Sequence, residues 1–342
     1  MFDFKQNADF DIIGMGEVML RLSPPQKETI SGSDTFIKNA GGSELNVVSD
    51  AAMLGARGGI ITKLPDSKTG RFVRDKIRSG NVSDDYIIFD KSPEKRLGIY
   101  YYECGAYPRK SSVEYDRRFS SMCSLNMNEL KKDVFEKTRI FHISSIALAI
   151  NSGLCDVVFE MLKLFKSRGA KISFDVNYRS ALWSEKEAKI MVEKVLPMVD
   201  FLFVSEETSR RMLQRSGTLE DIMKGYADEY SCTLVATTQR KVISPDRHDF
   251  SSVIYCGGDF YKEMPYKSIE VIDRVGSGDA YVAGVLFGLI KFGCPQKALE
   301  TGNALSSLKN TVAGDMAGFS YDEVLRVVDS HKSAGAGSEM ER

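Results

Sequence analysis

A glycine-rich turn that leads into an apolar helix is the strongest chemical signal in this chain of 342 residues. The turn reads Asp273-Arg-Val-Gly-Ser-Gly-Asp279. Its small residues let backbone N–H groups converge where the helix dipole adds partial positive charge, which suits a phosphate group. Asp279 then suits a general base that takes a proton from an attacking hydroxyl. The pattern indicates phosphoryl transfer, and the simpler alternative is that Asp279 only caps its helix.

A second candidate site follows a short apolar strand in the run Phe174-Asp-Val-Asn-Tyr-Arg-Ser-Ala-Leu-Trp183. Asp175, Asn177 and Arg179 come directly after that strand, at the carboxyl end where open α/β sheets bind ligands. The guanidinium of Arg179 offers two parallel donors to a carboxylate or phosphate. The alternative is a structural pair between Arg179 and Asp175.

Alternating strand and helix patterns place these residues in an α/β fold. The predicted strands are 10–14, 59–62, 172–174, 201–204 and 234–236. The predicted helices are 43–54, 67–79, 152–168, 184–196, 219–230, 280–291, 295–309 and 321–328, with Ser152 as the N-cap of the third. This alternation predicts a doubly wound, mostly parallel sheet flanked by helices.

Residues 17–38 and 96–118 interrupt the alternation with strand and turn patterns. We expect them to form a small subsidiary β-sheet that acts as a lid on one domain, residues 1–331. The tail, residues 332–342, is small and polar, which is typical of a mobile segment.

Composition excludes several classes of protein. Hydrophobic residues make up 43% and charged residues 27%, as in ordinary globular proteins, and the formal net charge is −1. This balance gives no footprint for nucleic acid or an anionic membrane. The six cysteines show no metal-ligand spacing, and no apolar run suits a signal peptide or a membrane span. We therefore expect a cytoplasmic protein.

The run 273–279 resembles the second signature, D-T-x-G-A-G-D, of the ribokinase-like (PfkB) carbohydrate kinases. A first signature is similar to Gly41-Gly-Ser-Glu-Leu-Asn46, which leads into a predicted helix. The resemblance extends from about Asp11 to about Arg326. It implies the ribokinase-like fold, and ATP and Mg²⁺ as the cofactors.

Within the family, further stretches resemble the 2-keto-3-deoxygluconate kinases. They are residues 16–25, 98–102, 113–117, 141–145 and 174–183. The resemblance implies ATP-dependent phosphorylation of 2-keto-3-deoxy-D-gluconate at its 6-hydroxyl. Other substrates of the family stay open: fructose, a deoxygalactonate or an inositol-derived acid. A sensor that binds a sugar acid without turnover is a further alternative.

The resemblance also implies roles for individual residues. Asp279 is the expected base, and the expected site of the transferring phosphoryl group is Gly276, Ser277 and Gly278. The expected contacts to the sugar are Gly42, Ser43, Asn46, Tyr100, Tyr115, Asp279 and Asp315, with Arg117 and Arg179 on the acid group. The expected nucleotide contacts are Asn177, Ser205, Thr237 and Asn303, together with residues 276–278. Without the resemblance, Tyr115 and Arg117 would be read as a solvated strand edge.

Two departures from the family pattern concern the nucleotide and the metal. Where many members carry N-x-x-E, this chain has Ser205-Glu-Glu-Thr208. Substitution by Glu206 or Glu207 is left open, and no metal ligand is assigned. The usual K-x-G-x-x-G loop is replaced by residues 237–244, which lack glycine. Arg240 and Lys241 offer side-chain contacts to phosphates instead, and the nucleotide preference is left open.

Two arginines near one end of the ligand favour an acid substrate, because a neutral sugar would leave both guanidinium groups without a partner. The edges and apolar face of an open lid sheet need a cover. Family members often provide it by pairing lids, so we expect a homodimer or higher homo-oligomer. The expected partner is otherwise a small sugar acid alone, with neither nucleic acid nor membrane.

Overall fold

The computed structural model describes residues 2–244 and 246–333. The strands in these ranges are β1 (Phe10–Met15), β2 (Met19–Ser23), β3 (Ile37–Gly41), β4 (Gly58–Pro65), β5 (Val82–Ser83), β6 (Ile87–Asp90), β7 (Ile99–Glu103), β8 (Ser112–Asp116), β9 (Thr138–Ser144), β10 (Lys171–Asp175), β11 (Phe201–Phe203), β12 (Leu234–Ser244), β13 (Arg247–Cys256), β14 (Asp259–Lys262) and β15 (Tyr266–Glu270). The α-helices are α1 (Ser43–Met53), α2 (Lys68–Ser79), α3 (Ser145–Ala149), α4 (Ser152–Ser167), α5 (Glu185–Val195), α6 (Glu206–Arg211), α7 (Leu219–Tyr230), α8 (Ser277–Phe292), α9 (Pro295–Asn310) and α10 (Tyr321–Lys332). Every strand and helix predicted from the sequence is present.

A mostly parallel sheet forms the centre of the fold, as predicted. Its strand order is β14-β13-β12-β11-β10-β9-β1-β4-β5, with β15 on β13 and β6 on β4. From β5 to β12 all neighbours are parallel, and β13, β14 and β15 add antiparallel pairs at one edge. The carboxyl ends of the parallel strands therefore meet at one edge of the sheet.

Two apolar cores lie on opposite faces of this sheet. Successive strand residues point to opposite faces, and in β1 Ile12 belongs to one core while Ile13 belongs to the other. The first core contains buried residues of α1, α8 and α9, and the second contains those of α4, α5 and α7. This is the doubly wound arrangement that the alternating pattern predicts.

A separate four-stranded sheet, in the order β3-β2-β7-β8, is built from the two segments that interrupt the alternation. β2 pairs with β7 in parallel, and the outer pairs are antiparallel. Met19, Tyr100 and Tyr102 pack on one side with Val275, next to the glycine-rich turn. Ile37 and Val113 are exposed on the outer strands, so part of the sheet has no cover within the described residues.

Several boundaries differ from the prediction. β3 continues past residue 38 to Gly41, and β12 continues past residue 236 to Ser244 because it forms a long hairpin with β13. Asn151, not Ser152, caps α4, because its side-chain oxygen accepts from the Leu154 N–H at 2.8 Å. α10 extends into the predicted tail as far as Lys332, and residues 334–342 lie outside the described residues.

No helix in the described part of the chain is both long and apolar enough to cross a lipid bilayer. All six cysteine side chains are free thiols in the structure.

Candidate active site

A cavity of about 1090 Å³ opens at the carboxyl edge of the parallel strands. Residues at the ends of β10 and β11 and along β12 form its floor, and the small sheet and the start of α8 form its walls. The predicted site residues that line it are Gly42, Ser43, Asn46, Tyr100, Tyr115, Arg117, Asn177, Arg179, Ser205, Gly276, Ser277, Gly278 and Asp279. Three do not line it: Thr237, Asn303 and Asp315.

Asp279 lies in the first turn of α8, whose N-cap is Gly276. Gly276 has a φ of 87°, and a Cβ at this position would lie 1.8 Å from the carbonyl oxygen of Asp315. Only glycine fits both the left-handed backbone and that close approach. The Ser277 N–H donates to the Arg274 carbonyl at 3.2 Å, and the Ala280 N–H donates to the Gly276 carbonyl at 2.8 Å. The amides that the first turn offers to an anion are therefore those of Gly278 and Asp279.

Residues from two other elements hold the Asp279 carboxylate. The Ser43 hydroxyl donates to Oδ1 at 2.8 Å, and the Asn46 amide donates to Oδ2 at 2.7 Å. Both donors lie in the first turn of α1, three residues apart on one face. Asn177 donates to the Ser43 hydroxyl at 3.0 Å. Burial raises the pKa of Asp279, and the hydrogen bonds from Asn46 and Ser43 oppose the rise.

Two further carboxyl groups, on Glu44 and Asp175, line the cavity close to Asp279. Glu44 accepts from the Ser144 N–H at 2.9 Å and from the Ser144 hydroxyl at 2.6 Å. Burial raises the pKa of Glu44 to about 7, and burial together with the charge of Asp279 raises that of Asp175 to about 8. Glu44 escaped the sequence reasoning because a glutamate in a first helical turn ordinarily faces solvent.

Asp315 belongs to a buried network next to the cavity and does not itself line it, so its contact with the substrate stays a prediction. Arg21 pairs with Asp273 at 2.5 Å and with Asp315 at 3.1 Å, and the Tyr100 hydroxyl also donates to Asp315. The Tyr100 ring therefore lies between Asp315 and the cavity. The sequence reasoning missed Arg21, because 294 residues separate it from Asp315.

Lys309 is a fully buried cation behind the glycine-rich turn that precedes α8. Its Nζ donates to the carbonyl oxygens of Asp273, at 3.1 Å, and Val312, at 3.2 Å. Burial lowers the pKa of Lys309, and its charge opposes the raised pKa of Asp279. The lysine thus connects the segment before α8 to the loop after α9.

The two arginines predicted to bind an acid group have different surroundings. Arg117 forms an ion pair with Glu17 and lies 5.6 Å from the centre of the Tyr115 ring. Arg179 has no carboxylate within 4.0 Å in residues 2–244 and 246–333, although its charge lowers the pKa of Asp175 and Asp279. The described residues therefore contain no direct ion pair between Arg179 and Asp175. Of the two arginines, Arg179 is the one whose guanidinium is open to an anion.

Four basic residues line the cavity in addition to Arg117, Arg179 and Arg210: Arg240, Lys241, Lys267 and Arg274, which we call the basic end. The carboxylates of Glu206, Glu207 and Asp249 also line the cavity. Burial and the charge of Arg274 lower the pKa of Arg240. Burial and both arginines lower the pKa of His248 to about 4. Positive groups that repel one another in this way favour a bound polyanion.

Thr237 and Asn303 do not line the cavity, so their contacts with the nucleotide stay predictions. Thr237 lies between Ala236 and Thr238, which line the cavity, so its side chain points to the opposite face of β12. Asn303 is fully buried in α9, where it accepts from Ser252 at 2.7 Å and donates to Glu263 at 2.5 Å.

The described residues build no side-chain site that would hold a magnesium ion on its own. No group of three or more His, Cys, Asp or Glu side chains that could hold a metal is present in the described ranges. Glu206 already binds Arg210 and Gln239, each at 2.8 Å, and Glu207 pairs with Arg211 at 3.2 Å. Magnesium in phosphoryl-transfer sites is held largely by phosphates and water, with one or two carboxylates.

Comparison with known proteins assigns the chain to a family. Residues 10–320 match the family described as pfkB family carbohydrate kinase. The chain belongs to this family. The kinase carries the glycine-rich turn and Asp279 inside the matched region, so the cavity at the carboxyl edge is the candidate active site of a carbohydrate kinase.

Individual relatives cover nearly the whole kinase. A 2-dehydro-3-deoxygalactonokinase from Haloferax volcanii is 34% identical over 318 residues, which cover 93% of this chain and 96% of the relative. A crystal structure of 2-dehydro-3-deoxygluconokinase from Thermotoga maritima aligns with a TM-score of 0.89 at 30% identity, covering 95% of this chain and 100% of that one. A fructokinase from Xylella fastidiosa with bound ATP shares the fold, with a TM-score of 0.79 at 20% identity, over 94% and 99% of the two chains.

Proposed function

We propose that this kinase transfers the γ-phosphoryl group of ATP to the 6-hydroxyl of 2-keto-3-deoxy-D-gluconate. The observation that carries the proposal is the Asp279 carboxylate, buried at a helix start and oriented by Ser43 and Asn46. An open guanidinium, Arg179, lines the same cavity. A base, an anion site and a cation for an acid group are the parts that this reaction needs.

In the proposed step, an Asp279 oxygen takes the proton of the 6-hydroxyl while the oxygen of that hydroxyl attacks the γ-phosphorus. The new O–P bond forms as the bond from the γ-phosphorus to the β,γ-bridging oxygen breaks, and ADP leaves. Backbone amides at the start of α8 stabilise the charge on the transferring group. Magnesium, when bound with ATP, neutralises charge on the phosphates.

The triphosphate is proposed to lie along the basic end, held by side chains. β12 continues as a strand to Ser244, with a register shift against β13 between Val242 and Ser244, where the family's usual glycine loop would wrap the nucleotide. Arg240 and Lys241 stand on this strand and line the cavity. Guanidinium and ammonium groups bind phosphate oxygens directly, so they supply the contacts that backbone amides would otherwise make.

Arg179 supports an acid substrate in preference to a neutral sugar. A sugar carboxylate would pair with this guanidinium, whereas a neutral furanose would leave it without a partner. Arg117 no longer adds to this argument, because Glu17 already compensates its charge. We therefore assign the acid group to Arg179 alone.

The C4 epimer, 2-keto-3-deoxy-D-galactonate, is the second candidate substrate, favoured by the name of the Haloferax volcanii relative. A coupled ADP-release assay with ATP and Mg²⁺ separates the candidates when run on both epimers, fructose, ribose and gluconate. We expect turnover confined to the keto-deoxy acids, with the gluco epimer preferred. Preference for the galacto epimer would replace the first candidate by the second, and turnover mainly of fructose or ribose would contradict both.

We also propose that the small sheet is a lid that pairs with a second copy of the chain. Ile37 on β3 and Val113 on β8 are exposed apolar residues on its outer strands. Covering them in a symmetric dimer would bury apolar surface and protect the strand edges. Light scattering after size exclusion is expected to show at least twice the chain mass of 38.1 kDa, and a species at the chain mass alone would contradict the proposal.

A further inference from the structure

Lys309 is a fully buried cation that the proposed reaction does not use. It lies near the end of α9 and does not line the cavity. Its Nζ donates to two backbone carbonyls, those of Asp273 and Val312. A charged side chain is costly to bury, because it loses the water that solvates it. A lysine here, instead of an apolar residue of similar length, therefore requires a compensating role.

The two carbonyls belong to chain segments that shape the start of α8. Asp273 lies three residues before Gly276, the N-cap of α8, and Val312 lies in the loop that leads to Asp315. The segments approach each other at the turn, where a Cβ on Gly276 would stand 1.8 Å from the Asp315 carbonyl oxygen. Lys309 thus joins two segments whose contact sets the shape of the phosphate-binding turn.

Other residues at the end of α9 hold the same part of the chain. The Ser306 hydroxyl donates to the Ser277 carbonyl at 2.8 Å. The Asn310 carbonyl accepts from the N–H groups of Ile272 and Asp273, at 2.8 and 3.2 Å. These contacts use neutral groups, and the lysine adds a charged donor to them. The position of the turn is therefore set by α9.

The charges around Lys309 come from several elements. Burial lowers its pKa, the carboxylates of Asp273, Asp315 and Asp50 oppose this effect, and Arg21 adds to it. Arg21 and Lys309 together balance the negative charges of Asp273 and Asp315. Without the lysine, one negative charge would be left behind the turn that is proposed to hold the transferring phosphoryl group. Like charges at this distance from a phosphate repel it.

We propose that Lys309 is a positioning residue for phosphoryl transfer, which fixes the glycine-rich turn and cancels negative charge behind it. The inference rests on the proposed function, because it takes this turn as the site of the transferring group. Lys309 does not line the cavity, so it acts through the backbone of the turn and through its charge. That charge also opposes the raised pKa of Asp279 and so favours the carboxylate that accepts the proton.

Steady-state assays of Lys309→Met test the proposal, with the panel sugar that native enzyme turns over best. Methionine keeps a long side chain and removes the charge and the donors. Because preorganised donors act mainly in the transition state, kcat is expected to fall by about 10- to 100-fold, less than for loss of a direct donor. KM for the sugar should stay near native, because the residues that line the sugar side are unchanged.

The acid limb of the pH profile separates a positioning role from a folding defect. The charged groups that act on Asp279 are Glu44 and Asp50 on α1, Asp175 on β10, Arg179 and Lys309. Removing the lysine charge should raise the pKa of Asp279, so the acid limb of kcat should move to higher pH. With kcat referred to the folded fraction at each pH, measured by circular dichroism, a folding defect alone would leave the limb in place.

A second variant separates the charge from the hydrogen bonds. Lys309→Gln keeps an N–H donor near the two carbonyls and is neutral. We expect the acid limb of this variant to move as in Lys309→Met, with a smaller loss of kcat. It also provides the comparison with native enzyme where the methionine variant does not fold.

The matched control is Lys63→Met, which removes another buried lysine. Lys63 donates to the Ser124 carbonyl at 3.2 Å and pairs with Glu129 at 2.7 Å, outside the cavity lining. This control is expected to keep the native kcat and the native acid limb even where it lowers the Tm.

A kcat near native in both Lys309 variants would overturn the assignment, and so would a loss of kcat with an unmoved acid limb. Neither result would affect the proposed function, because native enzyme still turns over the keto-deoxy acid. Native turnover mainly of another panel sugar would contradict the proposed substrate, and the variants would still test Lys309 on that sugar. No turnover of any panel sugar by native enzyme would overturn both proposals together.

Discussion

Replacing Asp279 by asparagine tests the centre of the proposed chemistry. The change removes the proton acceptor and leaves the shape. The asparagine oxygen can keep the hydrogen bond from Asn46, and the new amide can donate to the Ser43 hydroxyl, which rotates to accept it. The contacts that hold residue 279 are therefore preserved, and the variant is expected to fold.

The expected effect falls on kcat. A positioned general base contributes about 10²- to 10⁴-fold, so Asp279→Asn should lower kcat by about that factor. KM for the sugar acid should change little, because Arg179 still binds the acid group. KM for ATP should not rise, because the variant removes a negative charge next to the phosphates. Initial rates from coupled ADP release, with each substrate varied in turn, measure the three constants.

The pH profile gives a second readout of the same group. Since burial raises the pKa of Asp279, the native kcat should fall with decreasing pH already above the ordinary range of an aspartate. This acid limb should be missing from the residual activity of Asp279→Asn. Loss of kcat with an unchanged acid limb would mean that a different group carries the proton.

A buried aspartate far from the cavity provides the control. Asp11 lies near the start of β1, at the opposite edge of the sheet, and pairs with Arg57 and Arg139. Asp11→Asn should leave kcat near native even where it lowers stability. A kcat for Asp279→Asn within about tenfold of native would refute the role of Asp279 as the base, and a large loss in Asp175→Asn alone would move that role to Asp175.

Four further outcomes are expected. Arg179→Met should raise KM for the sugar acid by about 10- to 100-fold and leave KM for ATP near native in steady-state assays; a rise for ATP alone would contradict the assignment. Arg240→Met should raise KM for ATP and spare that for the sugar acid. Asp175 has a folded pKa of about 8, so it adds stability at low pH that is lost as the pH rises toward 8. In urea unfolding, the free energy of unfolding of the native chain should therefore fall from about pH 5 to 8 by more than that of Asp175→Asn. Val113→Asp should reduce the mass found by light scattering to that of one chain.

The fold followed from the sequence because its signals are local. Apolar runs bounded by glycine identify β1, β4, β10, β11 and β12, and periodic patterns identify all the helices except α3 and α6. The other strands of the main sheet, including the central β9, were not predicted, whereas the two ribbon segments stood out by breaking the alternation. Errors occurred where a partner elsewhere in the chain decides the outcome. β12 runs on to Ser244 because β13 pairs with it along its length, and no pattern within residues 234–244 shows that.

The candidate site was predictable where one short motif supplies both the shape and the chemistry. Gly276 and Asp279 are such a case. Asp315 was assigned to the substrate, whereas its partners, Arg21 and Tyr100, are brought to it by the small sheet from more than 200 positions away. Pairing of buried charges over such separations leaves no periodic trace in the sequence, which also explains why the pair between Glu17 and Arg117 was missed.

The charges around the cavity explain how two anionic substrates would each bind in the part of the cavity that the reaction requires. On the sugar side, Glu17 and Arg117 compensate each other, and pKa values raised to about 7 for Glu44 and about 8 for Asp175 reduce the negative charge of both groups near neutral pH. The uncompensated charges there are then Asp279 and Arg179. A triphosphate is attracted to the more positive basic end, whereas a monocarboxylate can be satisfied by one guanidinium. In the proposed binding mode, the acid group would pair with Arg179 while the 6-hydroxyl would lie beside Asp279, where the transfer would occur.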